Sequence, residues 1–265
     1  MHPLDRGAFA AIVADPDSAL VATDFDGTIA PIVDHPEAAR PLPAALEALR
    51  ALQSQVGTVA VISGRPAHFL GEVLPVAGLV LVGQYGLERL DADGATVADP
   101  SVSPHLAAVA AALADARREF PDLYIERKGL MAATVHWRLV PERGDDVMRW
   151  ADLVASRLGL GCYPTKMAVE LRPPVSIDKG TALEDLSADA TAVVFAGDDH
   201  GDLAAFDTLD RIALHGVEVV RIGVESSEAP RELFARADIT VAGPAAVADL
   251  FSQLARRITD ARGSA

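Results

Sequence analysis

Carboxylates gathered behind short apolar runs are the residues of this chain whose types and spacing could do chemistry. Asp24-Phe-Asp-Gly-Thr28 puts two aspartates two positions apart directly behind the run Leu20–Phe25. A chain leaving a strand can turn both toward one cavity. One carboxylate can bind a hard cation and attack phosphorus, and the other can protonate a leaving oxygen. Glycine permits the tight turn, and the threonine hydroxyl can bond a phosphate oxygen. An Asx-type turn would account for a lone pair of aspartates, but it accounts poorly for DxDGT behind an apolar run. Gly197-Asp-Asp-His-Gly-Asp202 follows a second run, Ala192–Gly197, with three carboxylates in one loop. Like charges at that density repel unless a cation neutralises them, and an all-oxygen donor set suits Mg²⁺ better than zinc or copper. Ser63-Gly-Arg65 behind a third run and Lys179 in Ile-Asp-Lys-Gly are each weak signals alone. Both place anion-binding groups at the start of a helix.

The elements that must position these residues alternate. Leu20–Phe25, Thr58–Ser63, Leu79–Gly83 and Ala192–Gly197 are nearly continuous apolar runs, as in parallel strands covered on both faces. Helical patterns lie between them at Pro43–Gln55, Pro66–Leu74, Asp178–Ser187 and Asp202–Leu209, and a strand-like Ile239–Gly243 precedes a helix from about Pro244 to Arg262. This alternation predicts a doubly wound α/β sheet. The middle differs. A hairpin turn at Asp91–Gly94 is followed by a helix near Pro104–Phe120, strands in YIERK and AATVHWR, a helix near Glu142–Leu158 and a strand in MAVELRP. That order predicts an α+β module inserted into the α/β core.

Composition excludes several classes. Of 265 residues, 23 are Lys or Arg and 38 Asp or Glu, a net charge of −15. The acid excess and the lack of a basic cluster argue against a nucleic-acid binder. Cys162 is the sole cysteine, so no internal disulfide and no Cys-based zinc site can form. Neither a signal peptide nor a membrane-length apolar run is visible, and a cytoplasmic protein with no membrane partner is expected.

The four stations, in this order and each behind a strand or at a helix start, resemble the haloacid dehalogenase (HAD) superfamily of aspartyl phosphotransferases. The resemblance covers the whole core. It implies a Rossmann-like doubly wound HAD core over residues 1–100 and 175–265, with a C2-type α+β cap over 101–174 as substrate-specificity lid. It implies Asp24 as the nucleophile forming an aspartyl-phosphate and Asp26 as general acid/base. Thr28 and Ser63 would bind the phosphoryl group, and Lys179 would steady it and Asp24. Mg²⁺ would be held by the Asp24 side chain, the Asp26 main-chain carbonyl and the Asp198 side chain, with Asp202 and Asp199 supporting it from nearby.

The inserted module carries Glu126-Arg-Lys128, then His136-Trp-Arg138, then Glu170-Leu-Arg172-Pro173. Strand alternation puts each pair of polar residues on one face. Carboxylates, Lys and His together suit a hydroxyl-rich sugar, and Arg can grip phosphate. Cross-strand salt bridges on a solvated face would explain any one pair, but the full set less well. Here the chain resembles a narrower family, the trehalose-6-phosphate phosphatases, whose cap has these three segments in this order before the lysine motif. The resemblance implies that Glu126, Lys128, His136, Arg138, Glu170 and Arg172, together with Arg65 in the core, contact the sugar phosphate. One position departs from the pattern: in Gly83-Gln-Tyr-Gly86-Leu-Glu88, Tyr85 stands where that family often has histidine. A tyrosine can stack on a sugar and donate a hydrogen bond. Trp137 and Trp150 read as cap core.

The expected function is Mg²⁺-dependent hydrolysis of trehalose 6-phosphate, coupled to a separate trehalose-6-phosphate synthase. The rivals are a related phosphatase acting on sucrose 6-phosphate or a glycosyl-glycerate phosphate, and a non-catalytic sugar-phosphate sensor. The intact Asp24 and Asp26 pair argues against a sensor, which needs neither carboxylate.

Overall fold

A computed structural model describes residues 4, 7–227 and 229–263. In chain order the strands are β1 (Ala19–Thr23), β2 (Thr58–Ile62), β3 (Val80–Gly83), β4 (Glu88–Leu90), β5 (Thr96–Ala98), β6 (Tyr124–Lys128), β7 (Ala132–His136), β8 (Gly161–Thr165), β9 (Ala168–Arg172), β10 (Ala192–Gly197), β11 (Glu218–Val224) and β12 (Ile239–Val241). The helices are α1 (Gly7–Ala14), α2 (Pro43–Gln53), α3 (Ala67–Val73), α4 (Leu106–Glu119), α5 (Gly144–Leu158), α6 (Lys179–Leu186), α7 (Leu203–Ala213), α8 (Arg231–Arg236) and α9 (Gly243–Gly263). The chain divides into two compact units, Met1–Thr96 with Ile177–Ala265, and Val97–Ser176.

The larger sheet runs β12-β11-β10-β1-β2-β3-β4-β5. From β12 to β3 every pairing is parallel, and β4 turns back antiparallel on β3. From β1 the chain steps one way through β2 and β3, and after the second unit it steps the other way through β10, β11 and β12. The strand order therefore reverses between β1 and β10, which is where open α/β sheets hold ligands at their carboxyl ends. Every residue of β1 and β10 is buried, because apolar side chains cover both faces. One face packs Phe9, Leu49, Leu52, Phe251, Leu254 and Ile258 from α1, α2 and α9. The other packs Leu183, Phe206, Leu209 and Leu233 from α6, α7 and α8. Each such side chain contributes about 1.5–3 kcal/mol on burial. This is the doubly wound core with an inserted α+β segment that the alternating pattern predicts. Three elements escape that pattern: α1, α8 and β11. In β11 the apolar run is broken by Arg221, whose guanidinium is neutralised by Asp210 and Asp238.

The second unit holds an antiparallel sheet, β6-β7-β9-β8. Ala133, Val135, Val169 and Leu171 face a core built with Val109, Leu113 and Phe120 of the α4 region and Val147, Ala151 and Val154 of α5. Trp137 and Trp150 pack against that core, as expected, and Trp150 meets Phe120 edge-on at 5.3 Å. By alternation the opposite face carries Glu126, Lys128, Thr134, His136, Glu170 and Arg172. β8 is absent from the sequence reading because Gly161 and Pro164 break its pattern. It is an edge strand, where a missing N–H removes no ladder bond.

Candidate active site

The pairing of β1 with β10 is extended by the Asp24 amide, which donates to Ala196 at 2.8 Å. Phe25 then plunges into the core and meets Phe69 edge-on at 6.0 Å, so alternation turns Asp24 and Asp26 the other way. The loop closes on itself through Ile29 and Ala30 amides to the Phe25 carbonyl, at 3.0 and 2.9 Å, and the Gly27 amide to Ala30 at 2.8 Å. Gly27 has φ +72°, and a Cβ there would lie 2.0 Å from Asp198 Oδ2. Only glycine allows this loop to lie against Asp198. Thr28 Oγ1 donates to Asp198 Oδ1 at 3.0 Å, joining the two acidic loops.

Lys179 is the first residue of α6, fixed there by a capping box between Asp178 and Thr181. Only 2 % exposed, its ammonium lies 2.7 Å from Asp202 Oδ1, 2.9 Å from Asp24 Oδ1 and 3.7 Å from Asp199 Oδ1. Burial disfavours that charge, but Asp202 and Asp24 outweigh it, and Lys179 holds its proton well beyond the usual lysine value. Asp202 Oδ2 accepts the Asp198 and Asp199 amides at 2.8 and 2.9 Å. Both Asp202 oxygens are thus engaged, one by the ammonium and one by its own loop. Asp24, Asp199 and Asp202 each offer an oxygen within 4.8 Å of the others.

Three carboxylates, those of Asp24, Asp199 and Asp202, surround this ammonium, and Asp198 adjoins them on the Thr28 hydroxyl. Burial pushes the Asp24 carboxyl well above the usual range; Lys179 draws it down, and Asp202, Asp199 and Asp198 push it up again. Burial carries Asp198 to about 6 against the pull of the Ser226 and Thr28 hydroxyls. Asp202 is likewise raised by burial, with Lys179 opposing. The cluster carries more negative charge than its environment supports. Its donors are all oxygen, and Gly27 leaves its space to the Asp198 carboxylate. The residues present therefore fit a hard divalent cation.

Ser63 and Arg65 stand on the turn after β2. Ser63 is buried, its amide donates to Val82 at 3.0 Å, and its Oγ accepts the Arg65 amide at 3.2 Å. The Arg65 guanidinium grips Asp26 in a bidentate pair, Nε to Oδ2 and Nη2 to Oδ1, both at 2.7 Å. It also donates to the Pro36 carbonyl at 2.7 Å and lies 5.2 Å from the Phe69 ring centroid. The hydrogen bond to Asp26 raises Arg65 further above its already high value. Arg65, expected among the substrate contacts, is thus placed on the second aspartate of the DxD pair. Buried Glu88 accepts the Ala67 amide at 2.8 Å and ties the end of this turn to β4.

In the second unit, Lys128 Nζ donates to Glu170 Oε2 at 2.8 Å, and His136 Nε2 lies 2.9 Å from Glu126 Oε2. Arg172 lies 4.1 Å from the Tyr163 ring centroid and 3.8 Å from Glu170 Oε1. Arg138 does not share this face as a strand residue. β7 ends at His136, Trp137 turns inward, and Val140 closes a turn on the Trp137 carbonyl at 3.0 Å, leaving Arg138 exposed. Two residues join the face unforeseen. Thr134 lies between Glu126 and Glu170 in the register, and Tyr163 pairs with Glu170 from β8. Thr134 lacks a charge to mark it, and Tyr163 sits in the strand that the pattern hides.

A sequence profile of the trehalose-phosphatase family matches residues 22–238. Two strains of Mycobacterium tuberculosis carry a protein described as an uncharacterized glycosyl hydrolase that is 37 % identical over 202 residues. The match covers 71 % of this chain and 15 % of that protein. The trehalose-phosphate phosphatase of Mycobacterium marinum is 30 % identical over 247 residues, 89 % of this chain and 61 % of the relative. This chain therefore spans less than two thirds of the length of these curated relatives. Among solved structures, the trehalose-6-phosphate phosphatase of Aspergillus fumigatus superposes with a TM-score of 0.65 at 26 % identity, covering 93 % of this chain and 95 % of that one. By the reach of the profile across both acidic loops and the inserted unit, this chain belongs to the trehalose-phosphatase family.

Proposed function

We propose that this chain hydrolyses trehalose 6-phosphate to trehalose and inorganic phosphate through an aspartyl-phosphate on Asp24. The observation that carries the reading is the Asp24 carboxylate at the end of β1, 2.9 Å from a buried ammonium, with Asp26 two residues on in the grip of Arg65. Asp24 attacks phosphorus, the bond from phosphorus to the sugar oxygen breaks, and Asp26, once released from the Arg65 grip and carrying a proton taken from solvent, delivers it to that oxygen. Asp26, now a base, takes a proton from water as water attacks the same phosphorus, releasing phosphate and restoring Asp24. Lys179 and the Ser63 and Thr28 hydroxyls hold the phosphoryl oxygens, the electrostatic work on which phosphoryl transfer mainly depends.

The Asp24 and Asp198 side chains and the Asp26 carbonyl would hold Mg²⁺, while Asp202 braces Lys179 and the loop. When bound, the cation supplies positive charge that offsets repulsion between Asp24 and the incoming phosphate. Glu126, Lys128, His136, Glu170 and Arg172 offer the mixed acid and cation surface that sugar hydroxyls require, and we assign the second unit the role of specificity lid. Among the described residues no helix is long and apolar enough to cross a membrane. We place the reaction in the cytoplasm, supplied by a separate synthase that makes the sugar phosphate.

The test is phosphate release from trehalose 6-phosphate, sucrose 6-phosphate, glucose 6-phosphate, mannosyl-3-phosphoglycerate and p-nitrophenyl phosphate, compared as kcat/KM with and without Mg²⁺. A preference for trehalose 6-phosphate of about a hundredfold is expected, with activity lost on chelation and in Asp24→Asn. A flat profile would discard the substrate, and an active Asp24→Asn would discard the nucleophile.

A further inference from the structure

Two consecutive residues without glycine's freedom, Gln84 and Tyr85, take left-handed backbone conformations at φ 50° and 62°. Such conformations are disfavoured and persist where the surroundings over-determine them, often beside functional groups. Here the surroundings are the Ser63–Arg65 turn: the Gln84 amide donates to the Arg65 carbonyl and the Tyr85 amide to the Ser63 carbonyl, both at 2.9 Å. Gly83 completes the fit, since a Cβ there would lie 2.4 Å from the Ala67 nitrogen.

The outcome is the placement of one aromatic ring. A Cβ on Gly64 would lie 2.5 Å from Tyr85 Cζ and 2.6 Å from its hydroxyl oxygen, so the tip of the ring rests on Gly64 between Ser63 and Arg65. A Cβ on Gly201 would lie 3.7 Å from Tyr85 Cε1, so the ring edge reaches the loop of Asp199 and Asp202. The ring spans the two loops, one carrying the Arg65 that grips Asp26, and is 43 % exposed despite being held from both sides.

We propose that Tyr85 is a specificity-determining residue of the core, an aromatic wall on the leaving-group side against which the apolar C–H face of the phosphorylated sugar ring lies. The assignment rests on the phosphatase reading above. Asp26 protonates the leaving oxygen, so the sugar emerges beside Arg65, where this ring is presented. A flat apolar surface complements a pyranose face, while the hydroxyl groups at the sugar's edge turn to polar partners.

The experiment compares wild type, Tyr85→Phe and Tyr85→Ala on trehalose 6-phosphate, glucose 6-phosphate and acetyl phosphate, which has no ring to stack. Unchanged circular dichroism and melting temperature identify folded variants. Tyr85→Ala should lower kcat/KM on both sugar phosphates about tenfold, chiefly through KM, and leave acetyl phosphate within about twofold. Tyr85→Phe keeps the ring and should stay within about threefold on all three. Equal losses on acetyl phosphate and the sugars would make Tyr85 a brace between loops and overturn the proposal, as would no loss at all. A wild type that prefers glucose 6-phosphate would overturn the trehalose assignment and leave the ring to be judged by the same ratio. A wild type inactive on every sugar phosphate would overturn both.

Discussion

Lys179→Met isolates the electrostatics of the site from its shape, because it keeps most of the side-chain volume and removes the charge. In the native chain that charge is within 3 Å of Asp202 and Asp24, at 2.7 and 2.9 Å, and all three side chains are almost wholly inaccessible. Removing one partner of a buried ion pair costs about 3–5 kcal/mol, since the remaining charge is left uncompensated. Here two carboxylates lose their partner together, and Asp199 at 3.7 Å loses a neighbour. Against a typical unfolding free energy of about 5–15 kcal/mol, the variant should stand close to its unfolding threshold at pH 7.5. The deficit depends on pH in a definite direction. Asp24, Asp202 and Asp198 all bind protons more tightly in the folded chain than in the unfolded one. A carboxyl of that kind contributes stability that is full below its unfolded value, about 3.9, and lost as pH rises through its folded value. For Asp198 that window closes at about 6. Without Lys179 to draw them down, Asp24 and Asp202 rise further in the variant than in the wild type, so its deficit should shrink as pH falls from 7.5 toward 5. Mg²⁺ should reduce it too, by binding the more negative variant cluster more tightly than the wild-type one. Urea unfolding of both proteins at pH 7.5 and 5.5, with and without Mg²⁺, measures all three effects. Equal stability at pH 7.5, or a larger deficit at pH 5.5, would refute the account of the cluster as overcharged.

Gly27→Ala should lower kcat more than tenfold and destabilise the fold by at least about 1 kcal/mol, because φ +72° is strained for alanine. Its Cβ would also displace the Asp198 carboxylate, so melting curves should show a weaker response to Mg²⁺ than wild type. Lys128→Ala and Glu170→Ala break one 2.8 Å ion pair in the second unit. Each should lower kcat/KM for trehalose 6-phosphate at least tenfold while leaving p-nitrophenyl phosphate within about threefold; parallel losses on both substrates would point to folding instead.

The core of the fold was legible because two-sided burial writes itself as unbroken apolar runs, and β1, β2, β3 and β10 all read that way. The acidic loops were legible because like charges crowded behind such runs have few structural explanations. What stayed hidden was hidden for physical reasons. Arg221 interrupts β11 in sequence yet is neutralised in space by Asp210 and Asp238, partners that no local pattern shows. Pro164 and Gly161 hide β8, whose edge position tolerates them. An arginine in such a turn can grip a ligand's anion or a neighbouring carboxylate, and spacing alone cannot say that Arg65 is held by Asp26. Arg138 continues the alternation of β7 on paper, but the chain has already turned.

The bond between Thr28 and Asp198 joins residues 170 positions apart, and β1 pairs with β10 across a similar span. Contacts of such sequence separation form slowly. On a ribosome moving at about 5–20 residues per second, β1 emerges roughly ten to thirty seconds before its central neighbour exists. During that interval an almost wholly apolar strand has β2 on one side and nothing on the other. The sheet can close only once the inserted unit has left the exit tunnel and β10 arrives. Lys179 is made shortly before that strand, so Asp24 and its counter-charge meet near the end of synthesis. Nascent chains stalled before residue 190 should therefore expose β1 to chaperones and proteases, and chains released past β12 should not.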